Sequence, residues 1–257
     1  MAELHTAAFY ESITPAVTAN AVNIVADGVF SRASDTGLYV PAGMQLVGAH
    51  GAITGGATSY PRLQVNAPSL LRIGYPNIRP LDAAPGAGNP NFQSLLDRPI
   101  VFPNNEVLGL DATWSAAVGG ATGVYGLLFF RGKQHPLPPG DAFWIRASAT
   151  PSITTANVWV QVNPSWDITL PEGTYAVVGF EHINATAPAA ARLVFPGSPW
   201  RPGTVSVNVG QRTHAAFYEG QFGVFGTFAA FAPPSMEVLV SAATSNLHEF
   251  YLRVVKL

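Results

Sequence analysis

Proline and glycine interrupt this chain about every dozen residues, at VPAG (40–43), FPNN (102–105), LPPG (137–140), LPEG (170–173) and FPGSPWRPG (195–203). Proline removes a backbone donor and clashes with the preceding helical turn, so such spacing leaves little room for helices of ordinary length. The intervals alternate with period two instead. Leu108, Leu110, Ala112 and Trp114 stand against Val107, Gly109, Asp111 and Thr113, and Phe143, Ile145 and Ala147 against Trp144, Arg146 and Ser148. Val158, Val160 and Val162 alternate with Asn157, Trp159 and Gln161, and Val205, Val207 and Val209 with Thr204, Ser206 and Asn208. This is the pattern of half-buried strands. The expected class is all-β, with space for a helical turn or two only at 91–98 and 211–221.

The two halves repeat each other in order, at separations of 120 to 136 residues. Ala8-Phe9 corresponds to Ala142-Phe143, TPAVTANAV (14–22) to TPSITTANV (150–158), and VPAGMQLVG (40–48) to LPEGTYAVVG (170–179). RIGYP (72–76) corresponds to RLVFP (192–196), each followed by an Arg-Pro, Arg79-Pro80 and Arg201-Pro202. Glu106-Val107-Leu108 matches Glu237-Val238-Leu239, and LFFRGK (128–133) matches EFYLRVVK (249–256). A shared order at a nearly constant separation is the signature of a tandem repeat, with the drift absorbed in loops. The expectation is two β-domains, 1–130 and 131–257, joined in the proline-rich stretch 131–140. Units of that size hold about eight strands of six residues, which suits a jelly-roll barrel.

Composition narrows the function. Charged residues make up 11% of the 257, hydrophobic residues 48%, and mean hydropathy is +0.22. So little charge suits a surface covered by neighbours rather than one facing water throughout. The net charge of −2 comes without a basic run, so direct nucleic-acid binding is not expected. The absence of cysteine excludes disulfides, thiolate metal sites and cysteine nucleophiles. The start MAELHT lacks a basic and an apolar region, and the longest apolar run, 124–130, stops at Arg131; neither a signal peptide nor a membrane span is expected.

No motif points to catalysis. The six histidines, His5, His50, His135, His182, His214 and His248, have no HxH, HxxxH or HExxH spacing, and read as scattered surface or hydrogen-bonded residues with no metal. Asp35-Thr36-Gly37 matches the triplet of aspartic proteases but has no second copy to share a proton, and reads as a turn. Gly126 to Lys133 is one residue too long for a phosphate loop, and there is no GxSxG. Glu172 and Glu181 are a carboxylate pair that nothing specific selects. Pro41-Ala42-Gly43 and Pro171-Glu172-Gly173 resemble the glycine turn of the cupin second motif, but the metal-binding histidine that should follow is missing. A tight turn with glycine at positive φ accounts for both copies. The expected assignment is therefore no catalytic residue, no cofactor and no metal.

The cations are 11 Arg and only 2 Lys, and arginine is favoured at interfaces where lysine is depleted. Arg79, Pro80, Trp200 and Arg201, in the repeated Arg-Pro loops, are the candidate inter-subunit contacts; the alternative role for both arginines is bonding their own loop carbonyls.

Two tandem jelly rolls, low in charge and rich in arginine and proline, resemble the double jelly-roll major capsid proteins of tailless icosahedral viruses, especially membrane-containing bacteriophages. The resemblance covers nearly the whole chain and rests on the duplication. It implies a virion shell protein, assembled in the host cytoplasm, whose trimers form pseudo-hexagonal capsomers of six upright barrels. Its implied partners are other copies of itself, neighbouring capsomers, a penton protein and an underlying membrane. Two other readings accompany it. One is a glycan- or receptor-binding β-sandwich module using Trp114, Trp144, Trp159, Trp166 and Trp200 as a platform. The other is a bicupin-like enzyme.

Overall fold

The computed structural model describes residues 3–257 other than 15, 55–60, 74–76, 79–81, 84–90, 118, 134, 185–188 and 207–219. The chain divides into two compact units, Ala7–Phe130 and Arg131–Leu257, the second including the residues up to Thr6. Residues 3–6, which the sequence reading places with the first barrel, are thus grouped with the second. The reason is hydrogen bonding: the Glu3 carbonyl accepts from the Gly132 amide (2.8 Å), and the Thr6 amide donates to the Arg201 carbonyl (3.0 Å).

The first unit contains β1 (Leu4–Ile13), β2 (Asn20–Ala21), β3 (Arg32–Ser34), β4 (Gly37–Val40), β5 (Gln45–Thr54), β6 (Pro61–Asn66), β7 (Asn77–Ile78), β8 (Asp82–Ala83), β9 (Asn91–Ser94), β10 (Ile100–Val101), β11 (Glu106–Trp114) and β12 (Thr122–Arg131). One sheet runs β1-β12-β5-β10, with β8 and β9 along β5, and the other β3-β4-β11-β6-β7, with β2 on β11. The second unit contains β13 (Ala142–Ala149), β14 (Val160–Val162), β15 (Ser165–Trp166), β16 (Thr174–Asn184), β17 (Ala189–Val194), β18 (Gly203–Val205), β19 (Gly226–Ala229), β20 (Ser235–Val240) and β21 (His248–Lys256). Its sheets run β15-β13-β21-β16-β19 and β14-β20-β17-β18.

The protein is all-β, and both units carry one connectivity. In chain order, the principal strands of the first are β1, β4, β5, β6, β7, β10, β11 and β12, and of the second β13, β14, β16, β17, β18, β19, β20 and β21. In each unit one sheet is ordered first-eighth-third-sixth and the other second-seventh-fourth-fifth. That is the order of a jelly roll. The repeated segments occupy matching places. Ala8-Phe9 and Ala142-Phe143 lie on the first strands, Glu106 and Glu237 on the seventh, and LFFR and EFYLRVVK on the eighth. Pro41 and Pro171 each open the turn into the third strand, where Gly43 and Gly173 take φ of +85° and +148°, values that a side chain would strain.

RIGYP and RLVFP do not match. Arg72 and Ile73 belong to a 3-10 turn, Pro68–Ile73, after β6, whereas Arg192 lies within β17. This turn is a helical element that the sequence reading missed. Pro68 presets its φ, and the Glu106 carboxylate accepts from the Ser69 amide (2.8 Å). The helical turn expected at 91–98 begins instead as strand β9, paired with β5 from Gly48–Ser94 to Gly51–Asn91; of 211–221, the part 211–219 lies outside the described residues.

Alternation places the cores. On β11, Glu106, Leu108, Leu110, Ala112 and Trp114 are buried while the residues between them are half-exposed. In the second unit Val238 and Val240 on β20, Ala189 and Ala191 on β17, and Phe250 and Leu252 on β21 are buried on facing sheets. Val205 and Thr204 are both buried, and Thr204 and Ser206 occupy the inward positions opposite Ala191 and Ala189, the reverse of the expected valine-in pattern; 207–209 lie outside the described residues. On the outer face of the same sheet Arg192 is 2% exposed, paired with Glu237 on β20 and lying 4.2 Å over the Trp159 ring.

Candidate functional site

The loop from Phe195 to Pro202 leads into β18 and is held by its own chain. The Ser198 amide closes a turn on the Phe195 carbonyl (3.1 Å), with Gly197 at φ +73°. The Trp200 amide donates to Ser198 Oγ (3.3 Å), and the Leu193 amide donates to the Pro202 carbonyl (2.7 Å). Arg201 Nη1 donates to the carbonyls of Ser198 (2.7 Å) and Trp200 (3.1 Å). The Arg201 carbonyl accepts twice from Thr6, from its amide and from Oγ1, both at 3.0 Å. The Trp200 ring, half-buried, lies 6.4 Å from that of His5. Arginine here therefore serves its own loop, one of the two roles the sequence allows, and the three prolines leave the loop little further freedom to lose. Arg79 and Pro80 lie outside the described residues.

A second surface forms at one end of the second barrel. Phe231 is 89% exposed in a turn fixed by the Ala232 amide on the Ala229 carbonyl (2.8 Å) and the Ala230 amide on the Gly173 carbonyl (2.9 Å). The Leu257 amide donates to the Thr174 carbonyl (2.9 Å) at the same end, and the Leu257 side chain is exposed. Phe143, also exposed there, meets Tyr175 edge-on at 6.3 Å; Tyr175 stacks on Phe228 at 5.8 Å and its hydroxyl donates to the Pro171 carbonyl (2.9 Å). The result is exposed apolar side chains on a stiff floor, an arrangement suited to contact with another macromolecule.

The tryptophan platform is not assembled. Trp114 is in the core of the first unit, and Trp159 is occupied with Arg192; Trp166 and Trp200 are half-buried and Trp144 is exposed. Asp35 pairs with Arg32 in the turn before β4. Glu172 lies in the bend before β16 and Glu181 well along that strand, which keeps them too far apart to act as a carboxylate pair. Among the described residues no three His, Asp or Glu side chains gather as metal ligands.

The histidines hold what the sequence reading missed. His182 on β16 and His248 on β21, 66 residues apart, lie in the second barrel's interior with Nε2 of one 2.9 Å from Nδ1 of the other. Ser206 Oγ is 2.7 Å from His182 Nδ1, and the Asn184 side-chain amide is 3.1 Å from His248 Nε2. Burial holds both rings below the usual histidine range, His248 at about 4, and His248 further disfavours a charge on His182. His214 lies outside the described residues, while His5 and His50 are buried. No spacing rule finds such a pair, because the barrel, not the local chain, brings the two strands together.

No protein-family model and no curated protein sequence matches this chain. Among solved structures it is similar to the major capsid protein P2 from bacteriophage PM2, with 12% identity over 97% of each chain and a TM-score of 0.23, a likeness too low to establish a common fold.

Proposed function

We propose that this chain is the subunit of an icosahedral viral shell, assembling as trimers whose six barrels make a pseudo-hexagonal capsomer. The observation that carries this reading is the repetition of one jelly-roll connectivity in two successive units. Two like barrels per chain let a trimer present six near-equivalent wedges, which tile a closed shell with one gene product. Low charge, the stiff Trp200–Arg201 loop and the exposed apolar end of the second barrel support it, since each favours burial between copies. In this reading the partners are further copies, a vertex protein and an underlying membrane, the protein acts without cofactor or catalysis, and its place is the virion, assembled in the host cytoplasm.

Mass photometry of the purified chain tests the proposal. Trimers or closed shells are expected at micromolar concentration, and a stable monomer overturns it. With Trp200 and Arg201 both replaced by alanine, assembly should weaken by roughly 30-fold or more, the loss of one anchor worth about 2 kcal/mol. The circular dichroism spectrum should stay that of a β-protein. Unchanged assembly of this variant would move the contact elsewhere, with the exposed Phe231 the next candidate.

A further inference from the structure

We propose that the Ser206–His182–His248–Asn184 chain makes the second unit acid-sensitive, joining its two sheets while both rings are neutral and releasing them when the pair takes up protons. The placement is the first argument. His182 and His248 belong to the sheet of β16 and β21, whereas Ser206 follows β18 in the opposite sheet, so the 2.7 Å bond from Ser206 to His182 crosses the barrel interior. Both rings are fully buried, and Phe250 lies nearly parallel to His182 at 5.1 Å.

Proton accounting is the second argument. Neutral rings satisfy the chain when Asn184 Nδ2–H donates to His248 Nε2, His248 Nδ1–H donates to His182 Nε2, and His182 Nδ1–H donates to the Ser206 hydroxyl. An added proton then has no acceptor on either ring: at His248 Nε2 it faces the Asn184 N–H, and it puts a charge in an apolar interior. At His182 Nε2 it sets N–H against N–H across 2.9 Å, and the bond between the rings must break.

Among the described residues, the inward neighbours of the pair carry no charge. The inward positions facing the pair from β13, β17 and β20 are Ala147, Ala149, Ala189, Ala191, Val238 and Val240. Glu181 and Glu249, next to the histidines in sequence, have the opposite strand parity, and Glu249 is bound by Arg146. Arg192 and Glu237 lie on the outer face of the other sheet.

The sign follows from the lowered affinity of the folded state for protons. The unfolded chain takes them up below about 6.5, whereas folded His248 does so only near 4, so stability is full above 6.5 and falls as pH drops through that window. Each histidine adds up to tenfold per pH unit to the opening constant. Hydrogen exchange of peptides from β16 and β21, measured in the intact chain and corrected for intrinsic rate, reads this directly. Between pH 6.5 and 4.5 the opening constant should rise at least about 100-fold more in the wild type than in the His182→Gln/His248→Gln variant. A difference below threefold overturns the proposal. Imidazole NMR of the wild type supplies a second reading if that variant does not fold. Two rings should stay neutral between pH 8 and 5, and titration of either His182 or His248 near 6.5 in the folded protein refutes the idea. Neither outcome depends on whether the chain builds a shell.

Discussion

Replacing Glu237 with leucine should destabilise the second unit by about 3 kcal/mol, among the largest effects of any single change on its surface strands. Arg192 is 2% exposed, and its Nε donates to Glu237 Oε2 under the Trp159 ring. Removing the carboxylate takes the counter-charge from a guanidinium that is itself almost wholly buried. The double variant Arg192→Met/Glu237→Leu should recover to within about 1 kcal/mol of the wild type, because an apolar pair fills the same volume with no ion to desolvate. Urea unfolding followed by tryptophan fluorescence checks both. If the single variant costs under 1 kcal/mol, or the double costs as much as the single, the ion pair does not organise that face.

Gly203→Ala should cost a comparable amount, about 3 kcal/mol, and lower the melting temperature of the second unit by roughly 10 °C. A Cβ at this position would lie 2.6 Å from the Ala191 carbonyl oxygen, 2.7 Å from Thr6 Oγ1 and 2.9 Å from the Arg192 Cβ. Two of these are fixed by the neighbouring strand. The third can give only by moving Thr6 off the Arg201 carbonyl, so loss of amide protection at Thr6 should accompany the drop. Gly119→Ala, where nothing lies within 4 Å, is the control and should be nearly neutral. Calorimetry showing equal effects at the two positions would mean that the N-terminal segment is not seated against β18.

The difference between these two glycines cannot be read in the chain. Gly203 looks like one more turn residue in FPGSPWRPG, yet it opens β18, and its missing side chain makes room for a residue almost 200 positions earlier. Glu106 and Glu237 teach the same lesson from the other side. The repeat places both on the seventh strand, but one carboxylate caps the 3-10 turn at Ser69 and the other neutralises Arg192. Their position follows from the repeat, while their work depends on what the fourth strand of each barrel, or the turn after it, brings alongside. RIGYP and RLVFP look as alike as any pair, and part company because Pro68 starts a turn where the second unit continues its strand.

Period-two alternation and regular proline-glycine punctuation are local properties, and by themselves they determined the all-β class, the burial pattern of β11 and of β13 at Ile145 and Ala147 though not at the exposed Phe143, and the repetition of one plan along the chain. A strand must alternate to have one buried face, and a proline must interrupt a helix, whatever lies elsewhere in the molecule. What sits across a barrel is a matter of long-range closure. Only the tertiary structure decided that residues 3–6 join the second unit, that Arg201 bonds its own loop, and that His182 meets His248 and Ser206. Those contacts are set by strand order and register, through which residues far apart in sequence become neighbours at about 5 Å.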